Sequence, residues 1–345
     1  MNIHNLYTTG TNLTNKILTN KRILRGLEKI SEHGSSFSNT TSLLMTIGLR
    51  PLAIQLTPDV EKENKQYAIS NSIGSGLIKF AIVESVALPL EKIVKNIDNN
   101  PEKFLKPETI KNLQQGAKNL TNSGSYRLFT QIFKLGAGVL TAIPKSVLTV
   151  ALIPIIMDKL FSNHSNKTKN SMQKANESFS GNFNILKDKD IFFTGNITNT
   201  LSRGIGKIMD NKKLQSIMIN NQKYEQDIAK HITAGTDILL TGVACQQTAK
   251  SKHIKENRKK ALIYNNIIST AITLGLGYIV DSVIKTKSQK FIEKFKTLNA
   301  KDPKVLKYVE GINILRPAII FAGIYYGLLP IFSTYLAEKI DKHTK

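Results

Sequence analysis

The sequence predicts an all-α membrane protein built from two tandem, degenerate repeats, with about four spanning helices plus short amphipathic or re-entrant helices. Two runs carry most of this prediction: residues 261–280 and 317–337 contain 20 and 21 residues without a charged side chain. A helix needs about 20 such residues to cross the hydrocarbon core of a bilayer. No stretch of any length alternates apolar and polar residues, so strands are not expected.

The chain also repeats itself weakly. The pentapeptide IVESV at 82–86 recurs as IVDSV at 279–283, which places Glu84 and Asp281 at corresponding positions. Two further pairs flank this match in the same order, 62–65 with 255–258 and 100–106 with 301–307. Three ordered matches are typical of a duplicated unit in a helical membrane protein.

The repeats divide the chain into four parts. These are an N-terminal polar and amphipathic segment (1–40), repeat unit 1 (41–162), a polar linker with a helical segment (163–231) and repeat unit 2 (232–345). Apolar residues at helical spacing predict an amphipathic helix at 16–30. The stretch 162–181 is rich in Ser, Asn and Lys, which is typical of a flexible linker.

In repeat unit 1 the predicted spans are 69–90 and 135–157, and charges interrupt both of them. Lys79 and Glu84 lie in the first, and Lys145 lies in the second. One Lys at the centre of a span costs about 2.5–3.5 kcal/mol on insertion, which many Leu, Ile and Val residues can offset. In repeat unit 2 the two uncharged runs are the predicted spans.

Each unit begins with a shorter apolar segment, 43–56 in the first and 232–245 in the second. Segments of about 14 residues are more often buried, re-entrant or interfacial helices than spans. Two spans per unit would give parallel repeats, whereas three would invert the second copy. The segment lengths favour two. Pro101 and Pro303 predict that a new helix starts after the first span of each unit.

The formal net charge of +23 at pH 7 comes mainly from Lys residues scattered through the polar loops. The chain has no Trp and no Arg-rich face, so it lacks the stacking platforms and Arg forks that read nucleic acid. Specific nucleic-acid binding is therefore not expected. Anionic lipid headgroups are the expected partners of the basic loops.

A basic cluster directly before 261–280 sets the predicted orientation and location. It consists of Lys250, Lys252, Lys255, Arg258, Lys259 and Lys260, opposed by Glu256 alone. Such clusters stay on the cytoplasmic side of a membrane. Abundant Lys, Asn and Ile are typical of an AT-rich genome, and we therefore expect the cytoplasmic membrane of a bacterium.

The residues needed for catalysis or for a metal or cofactor site are missing. Cys245 is the one cysteine, which excludes an intramolecular disulfide and a Cys-based zinc finger. The six histidines show none of the paired spacings of a metal site. GIGK at 204–207 resembles the end of a phosphate-binding loop but lacks its first Gly and its final Ser or Thr. We expect no enzymatic activity, no metal and no cofactor.

Polar residues inside the apolar segments are the candidate functional residues, because a polar group facing lipid is costly. They are Glu84, Asp281, Lys79, Lys145, Asn265 and Asn266. We expect Glu84 to face a helix interface, with Lys79 or Lys145 as its ionic partner. Asp281 lies one residue beyond an uncharged run, so we expect it to contact water near a helix end.

Small residues in the last two spans predict close helix crossings. Gly323 and Gly327 are four residues apart in the last span, and Gly275 and Gly277 lie in the span before it. Glycines at such spacing allow two helix backbones to approach closely. Packing within the bundle is the expected use, and a homodimer through the same residues is the alternative.

Together these features favour a membrane scaffold or interaction protein without enzymatic activity, whose basic cytoplasmic loops contact lipid. The first alternative is a small transporter or channel with a site between the two repeats. The second is a soluble or peripheral all-α protein whose apolar segments form a buried core.

Overall fold

The computed structural model of the chain describes residues 15–58, 62–149, 152, 195–250 and 256–331. Most of these residues are helical and none of them forms a strand, which confirms the all-α class. The predicted linker at 162–181, the last residues of the predicted spans 135–157 and 317–337, and part of the basic cluster before residue 256 lie outside the described residues.

Helices in the first half of the chain follow one another through short turns. They are α1 (Lys21–Glu32), α2 (Gly34–Ile47), α3 (Leu49–Leu56), α4 (Lys62–Asn99), α5 (Pro101–Phe104), α6 (Pro107–Gln114), α7 (Gly124–Leu135), α8 (Ala137–Leu140) and α9 (142–149). Gly48 divides the short apolar segment 43–56 between α2 and α3. Pro101 and Pro107 occupy the first turns of α5 and α6, where the helix needs no backbone N–H.

The second half contains longer helices. They are α10 (Gly195–Met209), α11 (Lys212–Asn220), α12 (Ile228–Lys250), α13 (Glu256–Leu298) and α14 (Val305–Gly323). The Asn211 side chain caps α11 by accepting hydrogen bonds from the N–H groups of Lys213 and Leu214. After α14 the helix continues through a π-helical turn, Ile324–Leu328, to residue 331.

One end of the molecule has conventional apolar cores, and we call it the packed end. The first core joins the end of α4 to α5–α7 and α10, through Ile93, Ile97, Phe104, Leu105, Leu113, Leu120, Tyr126, Phe129, Ile205 and Met209. The second joins α1 to the end of α13 and the start of α14, through Leu18, Leu24, Leu27, Phe295, Tyr308 and Val309. The helical part of the predicted linker therefore packs into a core.

Four helical stretches are long and apolar enough to cross a membrane: Ala68–Asn99, Gly124–Thr149, Ile263–Leu298 and Val305–Ile331. Each overlaps one of the four predicted spans, and the four are compatible with a membrane protein. The first and third contain 32 and 36 residues. At 1.5 Å per residue they are about 48 and 54 Å long, against about 30 Å of hydrocarbon. Their last turns accordingly belong to the packed end.

The outer faces of these helices expose large apolar side chains. They include Leu77, Leu88, Leu140, Ile143, Ile268, Ile279, Val283 and Ile319. In the most apolar windows of Ala68–Asn99 and Ile263–Leu298, only 17% of the residues are buried within the protein. Apolar surface of this extent marks contact with lipid or with another protein. It is unlike the buried core expected of a soluble all-α protein.

The repeated sequences fall on helices of the same kind. IVESV lies in α4 and IVDSV lies in α13, and each of these long helices follows a shorter apolar one. A proline turn and another apolar helix then follow in both units. The boundaries at 40/41 and 231/232 fall inside α2 and α12. That the two units superpose stays a prediction.

Candidate functional site

A cavity of about 440 Å³ lies between the helices, away from the packed end. Residues of α2, α3 and α4 line one part of it, and residues of α12, α13 and α14 line another, with α8 and α9 contributing as well. Both predicted repeat units thus contribute to the wall. The bundle exposes apolar side chains on its outside and surrounds this partly open cavity.

Hydroxyl and amide side chains line the cavity in stripes of mostly three- or four-residue spacing. The stripes are Ser35, Ser38, Asn39, Ser42 and Thr46 on α2; Ser72 and Ser75 on α4; Thr233, Thr236 and Thr241 on α12; and Asn266, Ser269, Thr270 and Thr273 on α13. Residues at this spacing share one face of a helix. Each of these helices therefore turns a polar face inward.

Some of the hydroxyl groups are satisfied by their own helix, and others are not. Thr46, Thr236 and Thr273 each donate to the carbonyl four residues earlier. By contrast, the Ser72 hydroxyl and Arg50 Nε are buried and have no hydrogen-bond partner within the described part of the chain. Buried polar groups are nearly always hydrogen-bonded in proteins. Both residues line the cavity, so these two groups can bond a molecule that enters it.

Charged residues on the cavity wall are mainly cations. Arg50, Lys79 and Lys145 line it together with one carboxylate, Asp237. Among the residues that the structure describes, none of these four has an oppositely charged partner within 4.0 Å. Arg50 instead lies over the ring of Tyr325, with its guanidinium carbon 5.9 Å from the ring centroid. The cavity therefore carries an excess of positive charge.

Asp281 lies outside the cavity, at the centre of a buried network of charges. Its carboxylate is 2.8 Å from Lys230 Nζ and 2.7 Å from Arg316 Nε, and the residue is 0% exposed. Asp227 accepts a hydrogen bond from Lys285 and lies 3.6 Å from Arg316 Nη2. The expectation that Asp281 contacts water was wrong, because α13 continues 17 residues beyond it and α12 and α14 cover it.

The carboxyl group of Asp227 is partly buried, yet its pKa is lowered. Burial raises the pKa of this carboxyl, and it is the largest single influence. The hydrogen bond from Lys285 and the charges of Lys230 and Arg316 act in the opposite direction and together lower the pKa below its ordinary value. The network thus contains three cations and two carboxylates.

Glu84 faces a helix interface, but its partners are polar rather than cationic. Its Oε1 accepts from Asn39 Nδ2 at 2.9 Å, and its Oε2 lies 2.9 Å from the Ser36 hydroxyl. The predicted ion pair with Lys79 or Lys145 is absent among the contacts the structure describes. Both lysines line the cavity instead, whereas Glu84 does not.

A second buried ion cluster ties the two apolar cores together. Lys134 Nζ lies 3.7 Å from Asp98 and 3.6 Å from Glu310, and Tyr126 donates to Asp98 at 2.9 Å. This cluster could not be predicted from the polar residues of the spans, because Asp98 and Glu310 lie outside the predicted spans. Its position between the cores points to a structural role.

The remaining predicted residues divide into two groups. Asn266 lines the cavity, whereas Asn265 is exposed. At Gly277 an added Cβ would lie 2.7 Å from the Phe321 ring, and at Gly327 it would lie 3.0 Å from Leu49. At Gly275 and Gly323 it would meet no other group within 4 Å. Of the four predicted glycines, Gly277 and Gly327 lie at close helix contacts and Gly275 and Gly323 do not.

The described part of the chain contains no group of three or more His, Cys, Asp or Glu side chains arranged to hold a metal ion. No protein-family model, no curated protein and no solved structure matches the chain. The cavity and the charge networks beside it are therefore the features that bear on function.

Proposed function

We propose that this protein binds a small anionic solute in the central cavity and carries it across a membrane. The observation that carries the proposal is the partly open cavity between apolar helices, which bears Arg50, Lys79 and Lys145 and the single carboxylate Asp237. Charged groups inside a membrane protein face partners or aqueous cavities and mark solute pathways. A scaffold has no need of such a cavity.

The volume of the cavity and the charges on its wall limit the class of solute that it can bind. A volume of about 440 Å³ falls within the range of about 300–1,000 Å³ that small-molecule sites occupy. The three cations favour a carboxylate or phosphate group, since both groups accept hydrogen bonds from guanidinium and ammonium donors. The unsatisfied Ser72 hydroxyl and Arg50 Nε supply further contacts. A small organic acid or a phosphorylated metabolite fits these requirements.

The position of the cavity also supports transport rather than storage. Helices from both predicted repeat units line it, and transporter sites lie between repeats near the middle of the membrane. The scaffold interpretation and the lipid-binding basic loops stay predictions. They are compatible with the cavity but do not explain it.

Equilibrium binding in lipid nanodiscs tests the proposal, with succinate, inorganic phosphate and chloride as probes. We expect the wild-type protein to bind succinate or phosphate more tightly than chloride. Lys79→Gln should weaken the binding at least tenfold, because it removes one cavity cation. Lys92→Gln is the matched control, since Lys92 is exposed on the same helix and does not line the cavity.

Uptake of the bound probe into proteoliposomes then tests transport. We expect uptake that saturates with concentration and that falls in Lys79→Gln but not in Lys92→Gln. A wild-type protein that binds none of the three probes would overturn the proposal. Equal loss in the two lysine variants would also overturn it, because the effect would then come from general surface charge.

A further inference from the structure

A chain of hydrogen-bonded, proton-carrying side chains runs beside the cavity along α2 and α4. His33 Nδ1 lies 2.9 Å from Glu91 Oε2, and the same oxygen lies 3.0 Å from the Ser36 hydroxyl. The Ser36 hydroxyl lies 2.9 Å from Glu84 Oε2. Glu84 and Glu91 are seven residues apart on α4, which places them on one face and about 10 Å apart along the helix axis.

The two ends of this hydrogen-bonded series of side chains, His33 and Glu84, have different surroundings. The His33 side chain is 45% exposed, whereas the Glu91 side chain is 0% exposed. At the other end Glu84 accepts from Asn39, whose side chain lines the cavity. The chain therefore leads from the surface, through a buried carboxyl group, to a carboxyl group beside the cavity wall.

The Ser36 hydroxyl is in contact with both carboxyl groups. A hydroxyl group has one proton to donate and two lone pairs that accept. With that one proton Ser36 can make a full, linear hydrogen bond to Glu84 or to Glu91, or a weaker bond shared between them. The second short contact becomes a full hydrogen bond when that carboxyl group carries a proton and donates it to Ser36. One proton shared between the two glutamates satisfies every contact.

The other oxygen of each glutamate is held by a fixed donor. The Ser36 backbone N–H donates to Glu91 Oε1 at 2.9 Å, and Asn39 Nδ2 donates to Glu84 Oε1 at 2.9 Å. These bonds leave both Oε2 atoms directed at the Ser36 hydroxyl. The arrangement is therefore positioned for transfer before any proton arrives.

We propose that His33, Glu91, Ser36 and Glu84 form a proton relay that couples proton movement to the solute in the cavity. Protonated Glu91 donates to Ser36 Oγ while Ser36 donates its own proton to Glu84 Oε2. The His33 imidazolium returns a proton to Glu91 from Nδ1, and the exposed ring takes a replacement from water. Only O–H and N–H bonds form and break, and one proton passes from water to Glu84. The coupling rests on the proposed function.

Two lysines on the helices that form and surround the relay, Lys95 and Lys134, pair with other carboxylates. Lys95 pairs with Glu32 of α1 at 3.0 Å. Lys134 of α7 pairs with Asp98 and with Glu310 of α14. The α10 helix faces α4 with Asn199 and Ser202, which bond Asn96. Lys79 lies on the cavity side of α4 and is the cation through which a proton on Glu84 would affect the solute.

Time-resolved infrared spectroscopy after a light-triggered pH jump tests the relay in nanodiscs, without any solute. We expect a carbonyl stretch of a protonated carboxyl group that Glu84→Gln and Glu91→Gln both change. Ser36→Ala should slow proton arrival at Glu84 at least tenfold, because the bridging hydroxyl is lost. Ser36→Thr should restore the rate, since it restores a hydroxyl group at the same carbon.

Ser85→Ala is the matched control, because Ser85 is next to Glu84 and donates to its own helix at Ile82. It should leave the rate unchanged. Wild-type rates in Ser36→Ala, or slowing in Ser85→Ala of the same size, would overturn the relay. Succinate and phosphate binding by the same variants separates the two proposals. Binding without a relay signal would overturn the relay and leave the proposed solute binding. A relay signal without binding would overturn the proposed solute binding and leave the relay.

Discussion

Asp281→Asn is expected to lower the free energy of unfolding by about 3–5 kcal/mol, the cost of breaking a buried ion pair. The substitution keeps the shape of the side chain and removes its charge. Lys230 and Arg316 would then share a buried site with Asp227 as the remaining carboxylate. Thermal melts in detergent would measure the loss as an earlier transition.

A second substitution tests whether the lost charge balance causes the destabilisation in Asp281→Asn. The native network has one more cation than carboxylates, and Asp281→Asn with Arg316→Leu restores that excess. The double variant should melt above the single variant. Glu108→Gln is the control for a surface pair, because Glu108 and Lys212 are exposed and such pairs contribute about 0–1 kcal/mol. A wild-type melt in Asp281→Asn would show that the network does not stabilise the bundle.

Gly311→Ala is expected to destabilise the protein by about 1–3 kcal/mol or more, which is typical of overpacking. An added Cβ at Gly311 would lie 2.2 Å from the backbone oxygen of Leu27, so α14 and α1 would have to move apart. These helices bury Tyr308 and Val309 in the second core of the packed end. The melt of the variant should therefore shift downward.

Gly323→Ala is the matched control for this effect, since Gly323 is on the same helix and an added Cβ there meets no group within 4 Å. The alanine should be neutral or slightly stabilising, because Ala favours helix over Gly by roughly 1 kcal/mol. Equal destabilisation by the two alanines would contradict the close approach of α14 to α1. It would also reopen a role for Gly323 in a homodimer.

The sequence was a good guide to the spans, because length and apolar content are local properties. All four predicted spans overlap helices of spanning length, including 69–90, which holds Lys79 and Glu84. It was a poor guide to the ionic and hydrogen-bond partners of the charged residues, because these partners depend on how the helices pack. Asp281 looked like the end of a span, yet α13 extends further and the residue is buried. The partners of Glu84 come from α2, some 45 residues away in the chain.

The cavity could have been found from the sequence by looking for polar stripes rather than single charges. Thr233, Thr236 and Thr241 repeat at helical spacing in one apolar segment, and Ser269 and Thr273 do so in another. Each of these residues is unremarkable alone in an apolar helix. Arg50 and Asp237 could not have been assigned this way, because their place on the wall depends on how α3 and α12 pack.

Cysteine labelling in membranes is the direct test for an aqueous, cation-lined cavity inside a lipid-facing bundle. Cys245 is the one cysteine of the chain, so Cys245→Ser gives a background without thiols. Ser269→Cys would place a thiol on the cavity wall, and Ile268→Cys would place one on the exposed apolar face of the same helix.

We expect Ser269→Cys to react with a negatively charged methanethiosulfonate at least tenfold faster than with a positively charged one. Ile268→Cys should react with neither charged reagent but with a membrane-soluble maleimide. Fast labelling of Ile268→Cys by both charged reagents would place that face in water. Together with an unreactive Ser269→Cys, it would contradict both the membrane bundle and the cavity within it.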